Sequence, residues 1–293
     1  LTTSPLRVLV TAAAAGFVAI RLSRATDWSR VPSAPVERRR RGGQIIRAAF
    51  GEYRHSWRAF VRFASIYIPA VFLAGLLSGL LSLLPVIGDL LGLAGERSGT
   101  GLFLVAAAGG LPQLVAAVAV NAIVAAYLTS RDSGTQLSAS DVLALTWARR
   151  RDLASAFARA FVTVAALAIS VIGIPWAIRQ LFRYQFAPQV VMLEGLDGRA
   201  ALDRSSSLVR GRWWHTAVLL SVFNLLPAAS ALLIGLVLLL GISGMPLWIY
   251  TTVMTLVFAT FVPLSATAQL MLYGDMVVAD RQPSTDDDAV PVG

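Results

Sequence analysis

The apolar positions of this chain fall into long, nearly unbroken runs, and short amphipathic stretches stand in front of three of them. Runs over about 57–84, 102–128, 154–173, 175–193, 214–240 and 246–272 each hold enough residues to cross a hydrocarbon core of about 30 Å at 1.5 Å per helical residue. The clearest amphipathic stretch is 199–210. Ala201, Leu202, Ser205, Leu208 and Val209 make one helical face, and Arg199, Asp203, Ser206 and Arg210 make the other. Arg199 and Asp203 stand four apart, a spacing that permits an ion pair. Gly211 is placed to end this helix, and Trp213 and Trp214 mark the entry to the membrane.

The same unit occurs three times. Stepping back by 60 and then by a further 96 residues aligns Leu202 with Val142 and Ile46, Ser205 with Leu145 and Ala49, and Arg210 with Arg150 and Arg54. The pattern predicts interfacial helices at about 44–56, 138–152 and 199–210, each followed by a helical hairpin. The expected fold is an all-α integral membrane protein with about six transmembrane helices, as three repeats of interfacial amphipathic helix plus hairpin. Gly173-Ile174-Pro175 and Gly241–Gly244 supply tight turns, and 85–101, with Asp89, Glu96 and Arg97, supplies a longer loop.

Three segments follow from this. Residues 1–43 read as an N-terminal extension and basic linker. The apolar run 8–20 would reach only about 20 Å as a helix, so it is expected to be interfacial, a seventh span being the lesser alternative. Arg38–Arg41 reads as a topology anchor, or more sharply as a grip on anionic lipid. Residues 44–281 form the six-helix transmembrane domain, and 282–293, with Asp286-Asp287-Asp288, a disordered acidic tail.

Composition sharpens the class. Of 293 residues 56% are hydrophobic and 14% charged, with mean hydropathy +0.69, more apolar surface than a soluble domain hides. The net charge is +9 and every basic residue other than the two histidines is arginine. Because these arginines flank apolar runs, they point to lipid head groups and topology and not to nucleic acid. The connections 129–153 and 194–213 carry four arginines each and 85–101 carries one, which places the interfacial helices and the C-terminus in the cytoplasm and the protein in the inner (plasma) membrane as a multi-pass chain.

Catalytic signatures are missing. There is no cysteine, and His55 and His215 are the only histidines, so no metal site and no cofactor are expected. Asp197-Gly198-x-x-Ala201 with Gly211 approaches a CDP-alcohol phosphotransferase signature. The remaining positions hold Leu202, His215 and Leu219 where an arginine and two metal-binding carboxylates are required. No Walker loop, zinc-protease pair or nucleophile elbow is present, so an enzyme is not expected.

The informative charges are Arg179 and Arg183, four residues apart with Gln180 and Gln185 nearby in an expected span. Charge at membrane depth is a functional pointer, because it costs from about 2.5 kcal/mol upward. Two readings stay open: an internal carboxylate or a helix C-terminus satisfies the pair, or the two guanidinium groups form an anion site. Pro188 is expected to break the helix and let Glu194 approach from the cytoplasmic end. The candidate ligand site is therefore Arg179, Arg183, Glu194, Asp203, Arg210 and Arg212, for an anionic lipid or other anionic head group.

Val190-Val191-Met192-Leu193-Glu194-Gly195, then Ala200–Ser205, then Leu208-Val209-Arg210-Gly211-Arg212-Trp213-Trp214, and the closing Leu272-Tyr273-Gly274-Asp275, together resemble the membrane domain found beside bacterial glycerophosphoryl diester phosphodiesterases. The likeness covers roughly 43–281. It implies the repeated hairpin fold and a connection with lipid or glycerophosphodiester biology. It does not imply hydrolysis, since this chain has no run of alternating strands and helices of the kind that builds the family's soluble barrel. The function expected is binding or moving an anionic lipid or amphiphile through an arginine-lined intramembrane cavity. The alternative is a non-catalytic accessory or scaffold subunit of a membrane complex, with a protein partner at the cytoplasmic face.

Overall fold

Each amphipathic segment becomes a helix whose start is marked by a side-chain hydrogen bond to the backbone. Helix α9 (Gly198–Val209) starts after Asp197, whose Oδ1 accepts the Ala200 N–H at 2.8 Å. Helix α5 (Ala139–Ala148) starts after Ser138, whose Oγ accepts the Asp141 N–H at 3.2 Å. Helix α1 (Gly42–His55) follows Arg41, whose own N–H donates to Gln44 Oε1 at 2.9 Å. The computed structural model describes residues 27–83, 99–242 and 247–281. The run 8–20, the loop charges Asp89, Glu96 and Arg97, the Ser243-Gly244 turn and the tail 282–293 lie outside the described residues.

The described residues are helical, without strands. The longer helices are α3 (Tyr67–Leu83), preceded by the short α2 (Trp57–Ala64), then α4 (Gly99–Asp132), α10 (Trp213–Gly241) and α11 (Leu247–Arg281). Four stretches are long and apolar enough to cross a membrane: Trp57–Leu77, Gly110–Asp132, Trp213–Leu239 and Thr252–Arg281. This is an all-α chain with the makings of a membrane protein.

The middle unit departs from the expected pair of crossings at 154–173 and 175–193. It forms α6 (Arg150–Ala168), a short 3₁₀ turn (Val171–Gly173), α7 (Ile174–Tyr184) and α8 (Ala187–Leu193). None of these is among the four span-length apolar stretches. Arg159 interrupts the apolar character of α6, and α7 stops before Gln185-Phe186, with Pro188 in the first turn of α8 as expected. The predicted turn at Gly173-Ile174-Pro175 is in place, its Gly173 N–H donating to the Ser170 carbonyl at 2.9 Å.

Helix starts keep the spacing seen in the sequence. Adding 156 to Gly42 and Trp57 gives Gly198 and Trp213, the first residues of α9 and α10. Subtracting 60 from Gly198 gives 138, the residue that caps α5. Gly211, at φ +84°, ends α9 in a conformation that favours glycine.

Helix α11 is the centre of the packing. It lies against α10, α1, α4 and α2, and its residues 262–277 are all buried. Tyr53 of α1 donates to the Thr260 carbonyl at 2.7 Å. Elsewhere α9 starts so close to α6 that a Cβ on Gly198 would stand 2.6 Å from the Ala156 nitrogen.

Amides inside the apolar helices tie the bundle together. Gln269 of α11 donates to Asn224 of α10 at 2.9 Å and accepts from Gln185 at 3.2 Å, and Gln189 of α8 donates to Asn121 of α4 at 3.1 Å. Replacing Gln269 by leucine strands two partners in apolar surroundings, so stability should fall by about 1–3 kcal/mol. A lowered thermal midpoint in detergent, followed by tryptophan fluorescence, is the check.

Within the largely exposed segment 27–41, two residues are anchored to the helices. Val36 is buried and donates its N–H to Asp132, and Arg40, read from the sequence as part of an anchor, is only 4% exposed. The Arg40 guanidinium donates to the carbonyls of Pro32, Ser33, Pro35 and Val36. A turn of backbone whose carbonyls converge has taken in one of the charges that the sequence offered as an anchor or a lipid grip.

Candidate functional site

The starts of α1 and α10 lie side by side. A Cβ on Gly42 would meet Leu219 Cδ2 at 2.8 Å, a flexible side-chain end that can yield. Arg41 precedes one helix and Arg212 the other, and Arg212 has no side-chain cap bond to make. Between them opens a cleft of about 750 Å³. Its walls include Arg39, Arg40, Arg41, Gln44, Arg212 and His215, and two carboxylates, Asp27 and Asp275.

Both carboxylates are engaged. Asp275 accepts the Arg40 N–H at 3.0 Å and lies 3.7 Å from Arg39 Nε. Asp27 accepts from the Ser29 N–H at 2.9 Å and from Gln44 at 3.0 Å. The Ser29 amide bond, with Arg41 adding to it, holds the Asp27 carboxyl below the usual carboxylate range. Burial, and then the charge of Arg38, pushes the Arg40 guanidinium below its ordinary value, while Asp132 and Asp275 pull the other way. Its Nε is buried without a hydrogen-bond partner. Arg41 and Arg212 form no ion pair with the described residues. The cleft therefore carries uncompensated positive charge beside the first amides of two helices, the arrangement in which an anion is stabilised.

The six residues expected at the site are placed as follows. Arg212 lines the cleft. Arg179 is exposed and Arg183 half-buried on α7. The Trp213 indole donates to the Arg179 carbonyl at 3.4 Å, which sets Arg179 level with the first residue of α10 and brings it close to Arg212 along the chain. Ser205 donates to the Arg183 carbonyl at 2.6 Å, and Arg183 Nη1 reaches Gln180 at 3.4 Å. Neither arginine has a carboxylate partner among the described residues.

Glu194 instead accepts from Arg204 Nε at 3.1 Å and from the Tyr273 hydroxyl at 2.7 Å, and Arg204 continues to Asp280 at 2.7 Å. These carboxylates raise the Arg204 guanidinium above its ordinary value against the opposing effect of burial. Asp203 on α9 and Arg210 just past its end are exposed and make no ion pair with the described residues; the Arg199–Asp203 pair that their spacing permits is not formed. The chosen residues thus divide: Arg212 lines the cleft, the Arg179 backbone meets the Trp213 indole, Arg183 lies against Ser205, Glu194 is drawn to Tyr273, and Asp203 and Arg210 stand apart.

Sequence reasoning missed Arg204, and it read Arg39, Arg40 and Arg41 of the cleft only as an anchor or lipid grip separate from Arg212. A signal for Arg204 was present. It is the one arginine of α9 next to buried Ser205, on the edge of the apolar face, where a charge needs a partner. Two of the motif segments touch through Tyr273 and Glu194, and other motif residues contact residues outside them. Tyr273 bonds Glu194, Gly274 packs on the backbone of Val36, Asp275 receives Arg40, and the Gly195 carbonyl, at a φ of +70°, accepts from Arg149 at 3.0 Å. Compared with family models, with curated proteins and with solved structures, the chain finds no match.

Proposed function

We propose that this chain is a multi-pass protein of the plasma membrane that binds, and passes along or across the bilayer, an anionic lipid or other anionic amphiphile. One observation carries the reading: an arginine-walled cleft, in which Arg41 and Arg212 form no ion pair with the described residues, opens beside the first residue of a span-length apolar helix. An anionic head with an apolar body is the ligand whose two ends match those two surroundings. The resemblance to a membrane domain associated with glycerophosphodiester chemistry supports the same class. The finer architecture we propose is the threefold repeat, with the arginine-rich helices on the cytoplasmic face and the shorter middle unit as its reduced copy.

Native mass spectrometry of the detergent-purified protein, given equal amounts of phosphatidylglycerol and phosphatidylcholine, tests the proposal. Several-fold enrichment of bound phosphatidylglycerol is expected. Equal retention of the two lipids would overturn it.

A further inference from the structure

Helix α10 carries a second feature that the cleft alone does not explain. Starting from His215 in the cleft wall, positions 218, 222, 225, 229, 232, 236 and 239 follow at alternating steps of four and three after an opening step of three, which keeps them on one side of a helix. Every one of them is exposed. Leu225, Leu232 and Leu239 are 63%, 66% and 64% exposed, and Val218, Val222 and Leu236 continue the stripe. The helix as a whole is the least covered of the four candidate spans, 22% buried against 56% for the stretch on α11. An apolar stripe as long as a bilayer leaflet and more therefore begins at the cleft wall and runs away from it.

We propose that cleft and stripe form one seat for a single anionic glycerophospholipid, its phosphate between Arg41 and Arg212 and one acyl chain along Val218, Val222 and Leu225. This rests on the reading given under Proposed function and narrows it to a place and a ligand class. The phosphate matches the site because paired guanidinium groups meet its oxygens with directed hydrogen bonds and the nearby helix amides add donors. Asp27 and Asp275 form no ion pair with Arg41 or Arg212, each being held by other donors, although the charge of Arg41 is felt at Asp27. A soluble phosphate would use the cleft alone, whereas a zwitterionic phospholipid would bring its own cation up to the arginines beside its phosphate. The one ligand with both ends is the anionic phospholipid.

The test uses the full chain in detergent, with phosphatidylglycerol as the probe and native mass spectrometry as the readout. The Arg41→Gln/Arg212→Gln variant should lose bound phosphatidylglycerol at least tenfold, while Arg150→Gln/Arg151→Gln, exposed and outside the cleft, retains it. Millimolar inorganic phosphate should not displace the lipid from the wild-type protein. A phosphatidylglycerol carrying a diazirine in its acyl chain should, on irradiation, label residues 218–236 of wild-type α10, a readout that needs no variant to fold. Retention by the first variant, loss confined to the second, displacement by phosphate, or labelling away from α10 each overturns the seat and leaves the broader lipid reading standing. Failure of the wild-type protein to prefer phosphatidylglycerol removes both.

Discussion

Valine in place of Gly274 should be among the most damaging single changes in this protein. A Cβ at that position would stand 2.1 Å from the carbonyl oxygen of Val36 and 2.7 Å from its carbon, with Glu37 Cα at 3.2 Å. These are backbone atoms and cannot swing aside. Nor can the segment shift as a unit without loss. The Val36 carbonyl accepts from the buried Arg40 guanidinium, the Val36 N–H is held by Asp132, and the Arg40 N–H is held by Asp275, the neighbour of the substituted glycine. Moving 27–41 away also separates Glu37 from Arg281 and opens the wall of the arginine cleft. Overpacking against a fixed backbone, with those bonds lost, is expected to lower stability by about 3 kcal/mol or more. The thermal midpoint in detergent should drop, and trypsin should cut at Arg38–Arg41 far faster than in the wild-type protein. Gly274→Ala places the same Cβ with two fewer methyls and should show the same changes in smaller measure. Unchanged trypsin resistance in Gly274→Val would mean that the segment is not seated on α11.

That contact also shows why part of the fold is legible in a single sequence and part is not. Continuous apolar runs name the span-length helices, because the bilayer demands one length and one polarity. Asp197 and Ser138 cap helices where their type allows, and Gly211 ends one, so the register of the arginine-rich segments is readable from residue chemistry at fixed offsets. Gly274 carries no such sign. Its need for a bare Cα comes from a segment more than two hundred residues earlier, and no local pattern encodes that partner. Arg40 misleads for the same reason, since a run of four arginines looks solvated until the carbonyls that receive one of them are in place. The middle unit fails differently. Its residues are apolar on average, but Arg159 and the Gln185-Phe186 break divide it into helices too short or too polar to count as crossings. Of the candidate site, the value of arginine near the entry of α10 was legible through Arg212. The convergence of Arg41 with it was not, because α1 and α10 meet only in the folded chain.

A comparable loss should follow from Arg131→Leu, for an electrostatic reason. Glu52 of α1 is a carboxylate only 7% exposed, and Arg131 at the end of α4 is its cationic partner. The same guanidinium nitrogen reaches Ser56 Oγ at 2.7 Å, and Ser33 and Ser56 donate their hydroxyls to the two oxygens of Glu52 at 2.8 and 3.0 Å. Two hydroxyls alone do not offset the desolvation of a buried anion. Removing the arginine is therefore expected to lower stability by about 3 kcal/mol, the lower part of the range for a broken buried pair because Arg131 keeps some contact with solvent. The sign reverses the usual intuition for the double change. Glu52→Leu/Arg131→Leu removes both charges and should recover most of the lost stability, since the cost in the single variant is the abandoned carboxylate and not the missing contact. Thermal unfolding of the wild-type protein, both single variants and the double variant closes the cycle. A double variant no more stable than Arg131→Leu would show that the arginine matters through its packing over the Tyr127 ring, 5.9 Å from the ring centre, and that Glu52 is satisfied without it.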